Sequence, residues 1–219
     1  MARSISRPSL HVLAGVNGAG KSSLMGALLK ERLVYWYNPD DYSRALVADG
    51  MSKAEADGQA WAFGRRRLEQ AILEKSAFAF ETTLGGNTIA ELIARAADTH
   101  DVTITFIGLD SVEKHLARVA YRVARGGHDI PESRIRERWL TARNNLITLL
   151  PKLTHLQLFD NSRDAGTGEN IPHPLLVLEI VRGDVKTPGD APAMARVPQW
   201  AKSIVAAALK DGKPRRTKR

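Results

Sequence analysis

The chain of 219 residues carries 32 Lys and Arg against 24 Asp and Glu, a formal charge of +8, with 43% hydrophobic residues and no cysteine. That composition fits a globular domain with appendages and excludes disorder throughout, a disulfide scaffold and any Cys-ligated zinc or iron–sulfur site. No apolar run approaches the roughly 18 residues of a membrane span, and residues 10–14 run too soon into glycine to form the apolar region of a signal peptide, so the cytoplasm is the expected compartment and no membrane is expected as a partner.

Residues 10–14, Leu-His-Val-Leu-Ala, predict a short buried strand. A helix is expected over 21–32, where Leu24, Leu28 and Leu29 recur at helical spacing. Between them Gly15, Val16, Asn17, Gly18, Ala19, Gly20, Lys21 and Ser22 match G-x-x-x-x-G-K-[ST] in the strand–loop–helix setting of a phosphate-binding loop. The glycines let successive N–H groups, those of Asn17, Gly18, Ala19 and Gly20 among them, turn inward around phosphate oxygens, and the helix that begins at Lys21, Ser22 and Ser23 adds its positive end. Lys21 is placed to reach the β- and γ-phosphates and Ser22 to hold Mg²⁺. ATP and Mg²⁺ are the implied ligands. The loop is silent on whether water or a substrate hydroxyl receives the γ-phosphate.

A second strand over 34–37 ends at Asn38, Pro39, Asp40 and Asp41, and Ser52 with Glu55 makes a capping box for a helix over 52–75. Residues 77–80 form a third strand running into Glu81, Thr82 and Thr83, a helix covers 87–97, and the apolar run 102–109 is a fourth, buried strand. Helices over 111–124 and 131–149 are separated by Gly126 and Gly127. A fifth strand over 156–159 ends in Asp160, Asn161 and Ser162, and 175–181 is a sixth, on the sheet edge. The alternation predicts a three-layer α/β/α P-loop fold with a mostly parallel, nucleotide-kinase-like sheet, its chemistry along the carboxyl ends of the strands. The expected division is a flexible N-terminus (1–8), a P-loop kinase domain (9–182), a proline-containing connector with a C-terminal helix (183–210) and a basic tail (211–219).

On the acceptor side, a kinase needs a carboxylate to orient the hydroxyl and take its proton. Asp40 or Asp41 fits that role, or Asn38, Asp40 or Asp41 simply caps a following helix. Glu81, Thr82 and Thr83 either touch Mg²⁺-bound water and a polar substrate or form a turn. Arg118, Arg122 and Arg125 share one helix face, and between Arg118 and Arg143 there are seven Arg, three acids and no Lys. Guanidinium forks beside a glycine hinge suit a closing lid over about 118–143; the alternative is a solvated basic face. Asp110 is either a metal-binding acid or a cap, and His128 either meets a phosphate or caps the broken helix.

Taken together, Gly15 to Ser22, Asn38-Pro39-Asp40, Phe80-Glu81-Thr82-Thr83-Leu84, Arg118 through Arg122 to Gly126-Gly127-His128-Asp129-Ile130-Pro131, and Asp160-Asn161-Ser162 resemble the zeta toxin family of P-loop kinases, in particular its small stand-alone members, over about residues 9–163. The resemblance implies a nucleotide-kinase fold and phosphorylation of UDP-N-acetylglucosamine on the 3′-hydroxyl of the amino sugar, with a small antitoxin protein blocking the nucleotide site. Carried over by motif, Asp40 resembles the catalytic base, Lys21 and Ser22 the nucleotide and magnesium contacts, Glu81 and Thr83 the substrate wall, Arg122 a phosphate clamp, and Asp160 and Asn161 the border of the adenine. The sequence departs from the toxins where His128 stands near an expected second arginine, leaving Arg118 or Arg134 to complete the clamp, and where Glu81-Thr82-Thr83 replaces a glycine-containing turn. A second functional class, a regulatory or nucleic-acid-associated ATPase, rests on the segment from Lys210 to Arg219, which has six bases and one acid and suits a polyanion as well as it suits a solubilising tail.

Overall fold

The computed structural model describes residues 6–22, 36–127, 129–164 and 172–211. The strands are β1 (Ser9–Ala14), β2 (Phe78–Thr82), β3 (Asp101–Gly108), β4 (His155–Asp160), β5 (Leu175–Val181) and β6 (Asp184–Thr187). The helices are α1 (Pro39–Ala48), α2 (Lys53–Glu74), α3 (Asn87–Ala96), α4 (Val112–Val123), α5 (Glu132–Leu149), α6 (Ala191–Ala195) and α7 (Lys202–Asp211). They form the three-layer α/β arrangement expected of a P-loop fold, around one sheet in the order β2-β1-β3-β4-β5-β6. The pairs β1–β2, β1–β3 and β3–β4 are parallel, and β4–β5 and β5–β6 are antiparallel. No helix among the described residues is long and apolar enough to cross a membrane.

Alternation along the strands builds the core. Val12 faces Phe80 on one neighbour and Ile104 on the other, and Ile104 and Phe106 face Leu156 and Leu158. These residues are all buried in one cluster with Leu68 of α2, Leu146 of α5 and Ile204 of α7. On the opposite face Leu13 and Ile107 pack with Ala19. Burial of such runs on both faces is what a parallel sheet requires.

Several elements differ from the sequence expectation. Within 34–37 the described residues give one parallel bridge, Tyr37 to Phe80, outside β2. A helix the sequence reading had not delimited, α1, follows at once. The strand at 175–181 is internal, because 184–187, read as connector, returns along it as β6. Arg182 at φ 51° and Gly183 at φ 84° make the tight turn between them. The C-terminal helix is part of the main core, with Trp200, Ala201, Ile204, Val205 and Ala208 all buried. The predicted helix beyond Ser22 and the basic tail beyond Asp211 lie outside the described residues.

Candidate functional site

The loop from Gly15 to Lys21 leaves β1 and folds back over β3 and α4. At Gly15, φ is 145° and a Cβ would stand 2.3 Å from the Ile107 carbonyl oxygen; at Gly18, φ is 81° and a Cβ would stand 2.8 Å from the His115 carbonyl oxygen. Only glycine tolerates both the backbone angle and the approach. Inside the loop, Lys21 is 7% exposed and its Nζ donates to the Gly15 carbonyl at 2.7 Å. Ser22, the next helical residue, is exposed. A tight glycine loop around a buried ammonium, its turn closed by the Ala19 N–H on the Val16 carbonyl at 3.0 Å, fits a polyphosphate.

The loop tip is pinned from two helices. His115 of α4 is buried, and its Nδ1 lies 2.8 Å from the Asn17 carbonyl, which can only accept, so Nδ1 carries the proton. Burial lowers its pKa to about 4 against a hydrogen bond that works upward, so the ring is neutral at physiological pH. From α5, Arg138 Nη1 donates to Asn17 Oδ1 at 2.9 Å. Asn161 Nδ2 donates to the Ala19 carbonyl at 2.8 Å, which places Asn161 against the loop. Its neighbour Asp160 accepts from the indole of Trp200 at 3.0 Å and from the Ser162 hydroxyl, so that carboxylate is held within the protein.

Asp40 is positioned by a compact local structure. Asn38 caps α1, its side chain accepting from the Asp40 N–H at 2.9 Å, and Pro39 occupies the first turn. Tyr42 stacks on Phe63 with ring centroids 4.7 Å apart, and the Ser43 hydroxyl donates to Asp57 of α2 at 2.6 Å, locking α1 to α2. Of the candidates, Asn38 is therefore the cap, Asp41 pairs with Arg44 on the surface, and Asp40 lines a cleft of about 820 Å³.

That cleft also takes in Lys21, Glu81, Thr82, Thr83, Arg134 and Arg138. Glu81 is buried with its Oε1 3.5 Å from Lys21 Nζ. Burial raises its pKa, Lys21 pulls it back, and Asp40 adds a smaller upward push, so the three groups share one electrostatic environment. The hydroxyls of Thr82 and Thr83 accept from the N–H groups of Leu84 and Gly85, holding the turn that carries Leu84 at φ 55°. The segment is thus a turn, and it lines the cleft.

The arginines divide. Arg134 and Arg138, one turn apart on α5, line the cleft. Arg118 donates to Asp164 at 2.6 Å and flanks Gly18. Arg122 underlies Gly127, whose N–H donates to the Arg122 carbonyl at 2.9 Å. Neither lines the cleft as Asp40 does. Arg136 pairs with Glu132 and Glu113 on the surface, and Arg125 and Arg143 stack on Tyr121 and Trp139. Asp110 does not cap α4: Ser111 does, and Asp110 pairs with Lys114 at 3.2 Å. Ser23 and His128 lie outside the described residues. Arg138 and His115 were not singled out from sequence; the one usable signal was the four-residue spacing of Arg134 and Arg138, which puts them on one helix face.

The chain is similar to several known proteins. It is 30% identical over 126 residues to an uncharacterized protein of Haemophilus influenzae, covering 57% of this chain and 88% of that one. The AvrRxo1-ORF1:AvrRxo1-ORF2 complex with sulphate ions superposes with a TM-score of 0.60 at 19% identity, over 88% of this chain and 65% of that chain. The same complex with ATP gives 0.59 at 18% identity, over 95% and 77%. A structure of the PezAT chromosomal toxin–antitoxin system of Streptococcus pneumoniae gives 0.52 at 13% identity, over 95% and 87%. These likenesses show the fold, a three-layer α/β arrangement of P-loop type around a mostly parallel sheet. Residues 10–144 match the model of the AAA domain family, and the chain belongs to that family.

Proposed function

We propose that the chain is an ATP-dependent kinase of the zeta toxin type that transfers the γ-phosphate to a sugar hydroxyl of UDP-N-acetylglucosamine in the cytoplasm. The observation that carries this reading is the convergence of a loop-held Lys21 and an exposed Asp40 on one cleft at the carboxyl edge of the sheet. A donor loop alone would suit any nucleotide hydrolase. A carboxylate facing it across a cleft large enough for a second substrate suits transfer to a hydroxyl.

In this reading the acceptor oxygen attacks the γ-phosphorus, the bond from that phosphorus to the β–γ bridging oxygen breaks, ADP leaves, and Asp40 takes the hydroxyl proton. Lys21 exchanges the Gly15 carbonyl for phosphate oxygens. Arg138, desolvated and already tied to Asn17, steadies the transferring group; low local dielectric strengthens that interaction. Arg118 and Arg122 serve the donor from α4, and the segment 118–143 acts as the lid. Glu81, Thr82, Thr83, Arg134 and His128 meet the acceptor, while Gly15, Asn17, Gly18, Ala19, Gly20, Ser23, Asp160 and Asn161 surround the donor. Mg²⁺, held by the Ser22 hydroxyl, supplies neutralisation of phosphate charge when bound. Residues 9–182 form the kinase domain and 183–210 its buttress. A small antitoxin covering the nucleotide site is the proposed partner. The likeness to the PezAT toxin–antitoxin system supports a partner of that kind, and the likeness to a complex solved with ATP supports ATP as the donor.

The test is incubation with labelled ATP and a panel of UDP-sugars and nucleosides, reading phosphorylated product. Asp40→Ala is expected to abolish transfer while nucleotide binding persists. Transfer retained in that variant would remove Asp40 from the role.

A further inference from the structure

We propose that the α2 wall of the cleft is a stacking platform for the nucleobase of the acceptor, with Trp61 as its floor. This rests on the kinase reading with its nucleotide-linked acceptor and assigns the residues that hold that acceptor's base.

Among the described residues, Trp61 is the one exposed large apolar side chain that lines the cleft, with 51% of its surface open. Exposed indoles on an outer surface are unremarked features of proteins, but one facing into a cleft opposite a candidate base presents an apolar, polarisable plane to whatever enters. The helix around it is stripped of side chains. Gly58 lies one turn before Trp61 and Gly64 one turn after, both in the interior of α2, where glycine weakens a helix relative to alanine. Gly64 has a packing reason, since a Cβ there would stand 2.5 Å from the Tyr37 ring. Gly58 has none: a Cβ would meet nothing within 4 Å, and the residue lines the cleft. The fold does not need the space above Gly58, and the helix would be better without it.

Arg65, one turn beyond Trp61, sets its guanidinium 5.5 Å from the indole centroid and pairs with Glu69 at 3.5 Å. Its Nε is buried and has no hydrogen-bond partner among the described residues. A flat aromatic surface, an empty strip beside it and the partly open Arg65 guanidinium at its edge are the components that bind a heteroaromatic ring bearing carbonyl oxygens. Across the cleft, Arg134 and Arg138 supply charge for the phosphates that join a base to a sugar. The volume of about 820 Å³, which runs from Lys21 to Trp61, is in the range of sites for extended ligands.

Calorimetric titration of UDP into the full chain, with the donor site filled by a non-hydrolysable ATP analogue, tests the platform without requiring turnover. Trp61→Ala is expected to weaken UDP by about tenfold or more, and Trp61→Phe by no more than about threefold. Gly58→Leu, which favours the helix and fills the strip, is expected to weaken UDP as Trp61→Ala does. N-acetylglucosamine alone is expected to give no saturable heat. UDP binding equally well to wild type and Trp61→Ala overturns the platform, as does absence of UDP binding to wild type or binding of the free sugar as tight as that of UDP. ATP affinity, measured in the same variants, is expected to be unchanged. Failure of phosphoryl transfer to every acceptor would remove the kinase reading while leaving the UDP titration interpretable.

Discussion

Lys21 Nζ stands 3.5 Å from Glu81 Oε1, with both side chains buried beneath the phosphate-binding loop. The ammonium therefore has a carboxylate counter-ion as well as the Gly15 carbonyl. Desolvation outweighs the attraction of Lys21 and keeps the Glu81 carboxyl above its ordinary 4.5. Between that value and its folded-state pKa the native protein binds more protons than the unfolded chain, so this group's contribution to stability falls as pH rises through the window. Glu81→Gln is expected to remove that fall. Urea midpoints for variant and wild type, compared from about pH 4.5 to 8, should diverge in the variant's favour as pH increases.

His115 has the opposite dependence. Its pKa is lowered to about 4 by burial, from 6.5, so the unfolded chain takes up a proton first as pH falls. The stability it supports is complete above about pH 6.5 and drains away toward pH 4, by roughly 3 kcal/mol over the whole span. His115→Gln, which can still donate to the Asn17 carbonyl, is expected to lose this slope, again read from urea midpoints, while the wild type keeps it.

Arg138 spans 121 residues to reach Asn17, joining the acceptor wall to the donor loop. Replacing it with alanine is expected to lower kcat by about 10²–10³-fold, the usual loss for one preorganised donor at a developing charge. Arg138→Lys should recover only part, because a point charge cannot keep the bond to Asn17 and hold a phosphate at the same time. Steady-state kinetics with ATP varied decide the matter: a change confined to the KM for ATP would make Arg138 a binding residue rather than a positioning one.

Gly108, at the end of β3, lies under the Trp200 ring, where a Cβ would be 2.2 Å from the indole. Gly108→Ala is expected to displace Trp200, break its bond to Asp160 and cost about 1–3 kcal/mol, the range for an overpacked core. Thermal unfolding should show a Tm lower by several degrees, and near-ultraviolet circular dichroism should report the moved indole.

The donor half of the site was legible because its chemistry is local. Gly15, Gly18, Lys21 and Ser22 occupy one short loop whose spacing is dictated by the phosphates it wraps, and Asn38-Pro39-Asp40 states its own cap and turn. The far side of the cleft was not, since Arg138, Trp61 and Asp57 acquire meaning only when α2 and α5 line one cleft at the sheet edge. Counting arginines identified a basic block but could not say that Arg136 pairs with acids at the surface while Arg138, two residues on, turns inward. The hairpin of β5 and β6 escaped for a simpler reason: its turn is Arg-Gly, without the Asn-Gly or Asp-Gly signal, and prolines at 188, 192 and 198 dominated the reading of the segment.

Trp200 reaches back over Gly108 to hold Asp160, next to the residue that braces the loop at Ala19. Ribosomes deliver β1 and its loop well before Trp200, so the nascent chain carries the loop for a stretch of synthesis without the strut behind it. Until the segment carrying Trp200 has emerged and docked, the wall behind the loop is unfinished.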